Sequence, residues 1–118
     1  MHKLILIALF VGAGCGGDDG GSSGVDSGKQ LKDLTASEVM AECEWGVEAQ
    51  GGAGHMTTCG DNVVVTVDTV AECVAEVNQY KTACTATVAQ LEACTDALAD
   101  NPCDFATSAC AAIFACAM

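Results

Sequence analysis

Arginine is absent from this chain, and lysine occurs only at positions 3, 29, 32 and 81. Sixteen aspartates and glutamates leave a formal charge of −12. With so few cations there is no basic surface to neutralise phosphates, which argues against nucleic-acid binding and against docking on anionic headgroups. Aromatic residues are also scarce: after the first fourteen positions there are only Trp45, Tyr80, Phe105 and Phe114. The remaining apolar content is mostly alanine and valine, which bury little area per residue. Such a core needs covalent help. No apolar run approaches the roughly 20 residues of a spanning helix.

Cysteine is what the chain has in excess, nine in 118 residues. That density fits a disulfide scaffold in an exported protein. No Cys-x-x-Cys pair occurs, so the close ligand pairs of a zinc module and the signature of a thioredoxin-like site are both missing. Structural disulfides among Cys43, Cys59, Cys73, Cys84, Cys94, Cys103, Cys110 and Cys116 are therefore expected. Eight cysteines allow about a hundred pairings, and sequence alone does not choose. Geometry offers a preference. If the second and third helices form an antiparallel hairpin turning near residues 81–87, Cys73 faces Cys94. Cys84 then meets Cys116 at the turn end, and Cys59–Cys103 and Cys43–Cys110 are left over.

Cys15 stands apart. "MHKLILIALFVGAG" opens with a lysine, runs apolar from Leu4 to Val11 and ends in small residues. That is the layout of a secretory signal peptide. Small residues followed by cysteine resemble the lipobox of bacterial lipoproteins. Ala13, Gly14 and Cys15 fit its last three positions, while Gly12 stands where that family prefers leucine. The resemblance implies a diacylglycerol on the Cys15 thiol, removal of residues 1–14, and a membrane anchor in the cell envelope, at the outer membrane or facing the periplasm. Parity agrees, because a lipidated Cys15 leaves an even number of cysteines to pair. Residues 16–30, "GGDDGGSSGVDSGKQ", are rich in glycine, serine and aspartate and read as a flexible linker. The organisation expected is a leader over 1–14, a lipidated cysteine and linker over 15–30, and a stapled module over 31–118. With this arrangement the chain is similar to small Cys-rich lipoproteins of myxobacteria-like bacteria, a likeness that implies location and no activity.

Within the module, Thr35/Glu38, Thr69/Glu72 and Thr87/Gln90 are three Thr-x-x-Glu/Gln patterns. In each, the threonine oxygen can accept from the backbone amide three residues on, and the longer side chain can reach back. Apolar residues follow at helical spacing: Val39, Met40, Cys43 and Val47; Val70, Cys73, Val74, Val77 and Tyr80; Val88, Leu91, Cys94 or Thr95, and Leu98. Glu42, Glu48, Glu76, Glu92 and Asp96 read as solvated faces. Asn101-Pro102 should end the third helix, and "FATSACAAIFACA" suggests a fourth, shorter one. Between the first two helices, β-branched "VVVTV" at 63–67 follows "HMTTCGDN". It reads either as a hairpin near 55–67 or as an extended loop. The fold class expected is mainly α, a small disulfide-rich bundle of three to four short helices.

Catalytic motifs are not found. His55 is the sole histidine after the leader, and Cys-His catalysis would require a free thiolate beside it. The serines lack a Gly-x-Ser-x-Gly context, and no EF-hand loop is present. No cofactor is implied. The function expected is a non-enzymatic, lipid-anchored envelope protein acting as a binding or surface-structural module, with the membrane as its partner. The alternatives are a secreted effector or inhibitor without lipid, and an acidic cation-binding envelope protein.

Overall fold

A computed structural model describes residues 23–117. Four α-helices dominate: α1 (Ala36–Ala49), α2 (Val70–Tyr80), α3 (Val88–Asp100) and α4 (Ala111–Ala117). A two-stranded antiparallel hairpin, β1 (Met56–Thr58) and β2 (Val64–Thr66), lies between α1 and α2 with Thr57 opposite Val65. Short 3-10 turns precede α1, follow α2 and precede α4. The chain is mainly helical, as its sequence implies.

All three threonine signals start helices. Thr35, Thr69 and Thr87 each accept from the amide three residues on, and Glu38, Glu72 and Gln90 each close the reciprocal bond. These boxes satisfy amide groups that the first helical turn would otherwise leave unpaired. Thr69→Ala should therefore cost about 0.5–2 kcal/mol, read as a lower urea midpoint with unchanged slope. Asn101 caps α3 one residue before Pro102.

The buried core is Leu31, Leu34, Val39, Val77, Val88 and Ile113 with several cysteines. The stripes of α2 and α3 face it as spaced. On α1 the expectation holds for Val39, Cys43 and Val47 but not for Met40, which is 43% exposed. Glu42 is buried there instead, at 4% exposure. The α1 face turned inward thus runs through Val39, Cys43, Gly46 and Val47 with Glu42 beside them.

The boundary expected at residue 31 lies too late. From Ser23 on, the glycine-rich stretch belongs to the fold. Val25 is buried, and Asp26 closes a turn by accepting from the Gly28 amide at 2.9 Å. The backbone then runs as a strap against the connection between α2 and α3. The Ala89 amide donates to the Ser27 carbonyl, Val88 to Lys29, Leu31 to Ala86 and Lys32 to Cys84, all within 2.8–3.1 Å. Lys29 pairs with Glu38 at 2.7 Å, and this ammonium, together with the Thr35 amide, holds the Glu38 carboxyl below its ordinary range. Composition marks this stretch as linker, but backbone pairing does not depend on side chains. The leader, Cys15 and the first part of the expected linker lie outside the described residues.

Candidate functional site

The eight cysteines from Cys43 onward pair with one another. The bridges are Cys43–Cys73, Cys59–Cys103, Cys84–Cys116 and Cys94–Cys110, with Cα separations of 4.5–5.7 Å. Two of the four agree with the geometric preference. The other two, Cys73–Cys94 and Cys43–Cys110, are replaced, and the reason lies in the connection after α2. Residues 84–87 do not make a tight turn; the strap occupies them. The antiparallel α2–α3 hairpin is therefore not made. α2 lies on α1, bringing Cys73 to Cys43, and α3 lies against α4 and the 3-10 turn Ser108–Cys110 that precedes it, bringing Cys94 to Cys110. With every described cysteine in a bridge, the exposed His55 has no thiolate among the described residues to activate.

The bundle leaves a cleft of about 250 Å³ where α1, α2, α3 and α4 converge. Its apolar wall includes Val47, Val77, Leu91, Leu98 and Ile113. Tyr80 and the half-exposed Phe114 add aromatic rings. Glu42, Asp68 and Glu76 contribute carboxyl groups, and among the described residues no lysine or histidine lines it. The three described lysines are engaged elsewhere: Lys29 with Glu38, Lys32 with Asp33, and Lys81 donating to the Leu34 carbonyl.

At this cleft the reading of Glu42 as a solvated acid fails. Ser23, at the start of the strap, reaches across α1 and α3. Its hydroxyl contacts Glu42 Oε2 and also lies 2.6 Å from Glu92 Oε2. The Ser23 amide donates to the same Glu92 oxygen at 3.2 Å, and Ser23 Oγ accepts from the Val25 amide. A serine hydroxyl has one proton to give. If Glu92 takes it, Glu42 must bring its own proton to Ser23 Oγ. Burial agrees with that assignment. It pushes the Glu42 carboxyl up, and the neighbouring Glu92 carboxyl raises it further, to about 8. Glu42 Oε1 has no hydrogen-bond partner. On α2, burial and the nearby Glu76 carboxylate push the Tyr80 phenol up to about 12.

Sequence reasoning missed this cluster because Ser23 reads as linker and lies 69 positions from Glu92. Among the described residues no group of three or more His, Cys, Asp or Glu side chains could hold a metal ion, and no helix is long and apolar enough to cross a membrane. No family model, curated protein or solved structure matches this chain.

Proposed function

We propose that this chain is an exported protein held in the cell envelope by a lipid on Cys15, and that its stapled domain is a non-enzymatic binding module. The observation carrying the anchor is the closed pairing of the other eight cysteines. No cysteine among the described residues is left to pair with Cys15. Four bridges are compatible with an oxidising compartment outside the cytosol. The binding role rests on the cleft, whose apolar wall and few polar groups have the make-up of a small-ligand site.

Metabolic labelling with a fatty-acid analogue tests the anchor. The native protein should take up label and partition into detergent, and Cys15→Ser should do neither. An unlabelled native protein whose single free thiol reacts with an alkylating agent would instead identify the secreted, lipid-free alternative.

A further inference from the structure

We infer that the Cys59–Cys103 disulfide is a reducible latch. An external dithiol opens it while the other three bridges stay closed, and the hairpin β1–β2 then comes away from the end of α3. The latch depends neither on the Cys15 anchor nor on the cleft.

The bridge stands outside the core. Cys43, Cys84, Cys94 and Cys110 belong to the core, and Cys73 and Cys116 pack against it; Cys59 and Cys103 do neither. Both are partly exposed. Exposure alone does not separate the bridges, since Cys73 and Cys116 are partly exposed as well. The leaving group does. Attack on the Cys73 or Cys116 sulfur would expel Cys43 or Cys84 as a thiolate, and both are buried in the core. Apolar surroundings raise the pKa of a thiol, and a thiol of high pKa leaves slowly. In Cys94–Cys110 both halves are buried. Neither sulfur of Cys59–Cys103 has to leave into the core.

The same bridge is what holds the hairpin down. Thr57 and Val65 stand opposite each other on the strands. With Val67 they line a small cavity of about 90 Å³, to which the end of α3 and the loop after it supply Leu98, Pro102 and Phe105. Cys59 follows Thr57 by two residues and Cys103 follows Pro102, so the disulfide joins the two sides of this cavity. Among the described residues no backbone hydrogen bond ties the strands to α3 or to the loop after it. The Cys103 sulfur lies 3.9 Å from the Thr58 carbonyl, but in a bridge it has no proton to donate. A two-stranded hairpin is marginal in water on its own. At its root, a Cβ on Gly52 or Gly54 would meet nothing within 4 Å, so little packing there resists a change of dihedral angle. The bundle does not need the hairpin, because residues 48–69 and 99–109 contribute nothing to the core.

The chemistry is thiol–disulfide exchange. A thiolate of the dithiol attacks one sulfur of the bridge, the Cys59–Cys103 bond breaks, and the other sulfur leaves as a thiolate and takes up a proton. The second thiol of the reductant, as its thiolate, attacks the mixed disulfide. The reductant's own disulfide forms, and the second cysteine leaves and is protonated. The protein gains two electrons and two protons, and the dithiol loses the same. The domain is thus a substrate of exchange and not a catalyst of it, in keeping with its lack of a Cys-x-x-Cys pair. Release of the hairpin bares Val65, Val67 and Leu98.

The test uses the full oxidised chain carrying Cys15→Ser, which leaves only the eight bridged cysteines to follow. Dithiothreitol is the probe, with timed alkylation and peptide mapping. Cys59 and Cys103 should become alkylated about tenfold or more faster than any of the other six. At that stage the helical circular dichroism should be intact. Amide hydrogen exchange over residues 56–67 should be faster by about tenfold or more, with α1 and α3 unchanged. The double substitution Cys59→Ser and Cys103→Ser should give the same fast hairpin exchange with no reductant present. Another bridge opening first, or all four opening together, would overturn the latch. So would slow hairpin exchange in both the partly reduced protein and the double variant. Helical signal lost from either would show that this bridge holds the bundle and not the hairpin alone, which also overturns it.

Discussion

Replacing Cys94 and Cys110 together by alanine should destabilise the domain more than replacing Cys59 and Cys103, although the latter pair closes the longer loop. The sequence separations are 16 and 44. A disulfide constrains the unfolded chain, and each contributes about 2–4 kcal/mol. The entropic advantage of the longer loop is only about 1 kcal/mol, because loop closure scales with the logarithm of length. Burial works the other way and is larger. Cys94 and Cys110 are both buried in the core, whereas Cys59 and Cys103 are partly exposed. Removing two buried sulfurs leaves a void costing about 2 kcal/mol beyond the loop term. Cys43, Cys84 and Cys110 are among the six largest fully buried side chains, beside Leu31, Val39 and Val88. The sulfurs are thus part of the core itself. Full reduction should collapse the helical circular dichroism, since four such losses rival the stability of about 5–15 kcal/mol of a whole domain. Urea melts of the two double variants decide the order. A Cys59/Cys103 variant weaker than the Cys94/Cys110 variant would show that loop length outweighs burial here.

Glu42→Gln should make the protein more stable than its parent at pH 8 and leave the two nearly equal at pH 5. In the folded chain Glu42 titrates near 8 instead of its ordinary 4.5. Between those values the folded state holds a proton that the unfolded state has released, so stability falls as pH rises through the window. An amide cannot ionise and escapes the loss. The gain for the variant at pH 8 should be on the order of 2–4 kcal/mol. Raising a pKa by one pH unit corresponds to about 1.4 kcal/mol, and relaxation of the buried pair takes back part of the total. Self-repulsion among the many other acids also changes with pH, so the quantity to read is the difference between variant and parent. Parallel pH dependences for the two proteins would mean that Glu42 is ionised in the fold.

The parts of this fold legible in the sequence are those fixed within a few residues. Thr35, Thr69 and Thr87 are recognisable as helix starts because both partners of each capping box sit three positions apart. The α2 and α3 stripes are readable from periodicity alone. The hairpin is an even choice with a loop, because Met56, Val63 and Val64 stay exposed and the run Val63-Val64-Val65 carries no apolar–polar alternation to mark its half-buried face. What is not legible depends on segments far apart in the chain. Glu42 falls off the apolar stripe and would be a surface acid without Ser23 and Glu92 closing over it. A tight turn after α2 would set Cys73 against Cys94. The strap, invisible in a glycine-rich composition, takes the place of that turn and sends both cysteines to other partners.

The strap also sets how far the domain can stand from its anchor. With Ser23 already fastened to α1 and α3, only residues 16–22 separate the fold from Cys15. Seven residues cannot span more than about 25 Å, whatever their arrangement. On the proposed anchor, the gap between the domain and the membrane is no wider than about the domain's own diameter. Anything its cleft captures would have to arrive at the membrane surface.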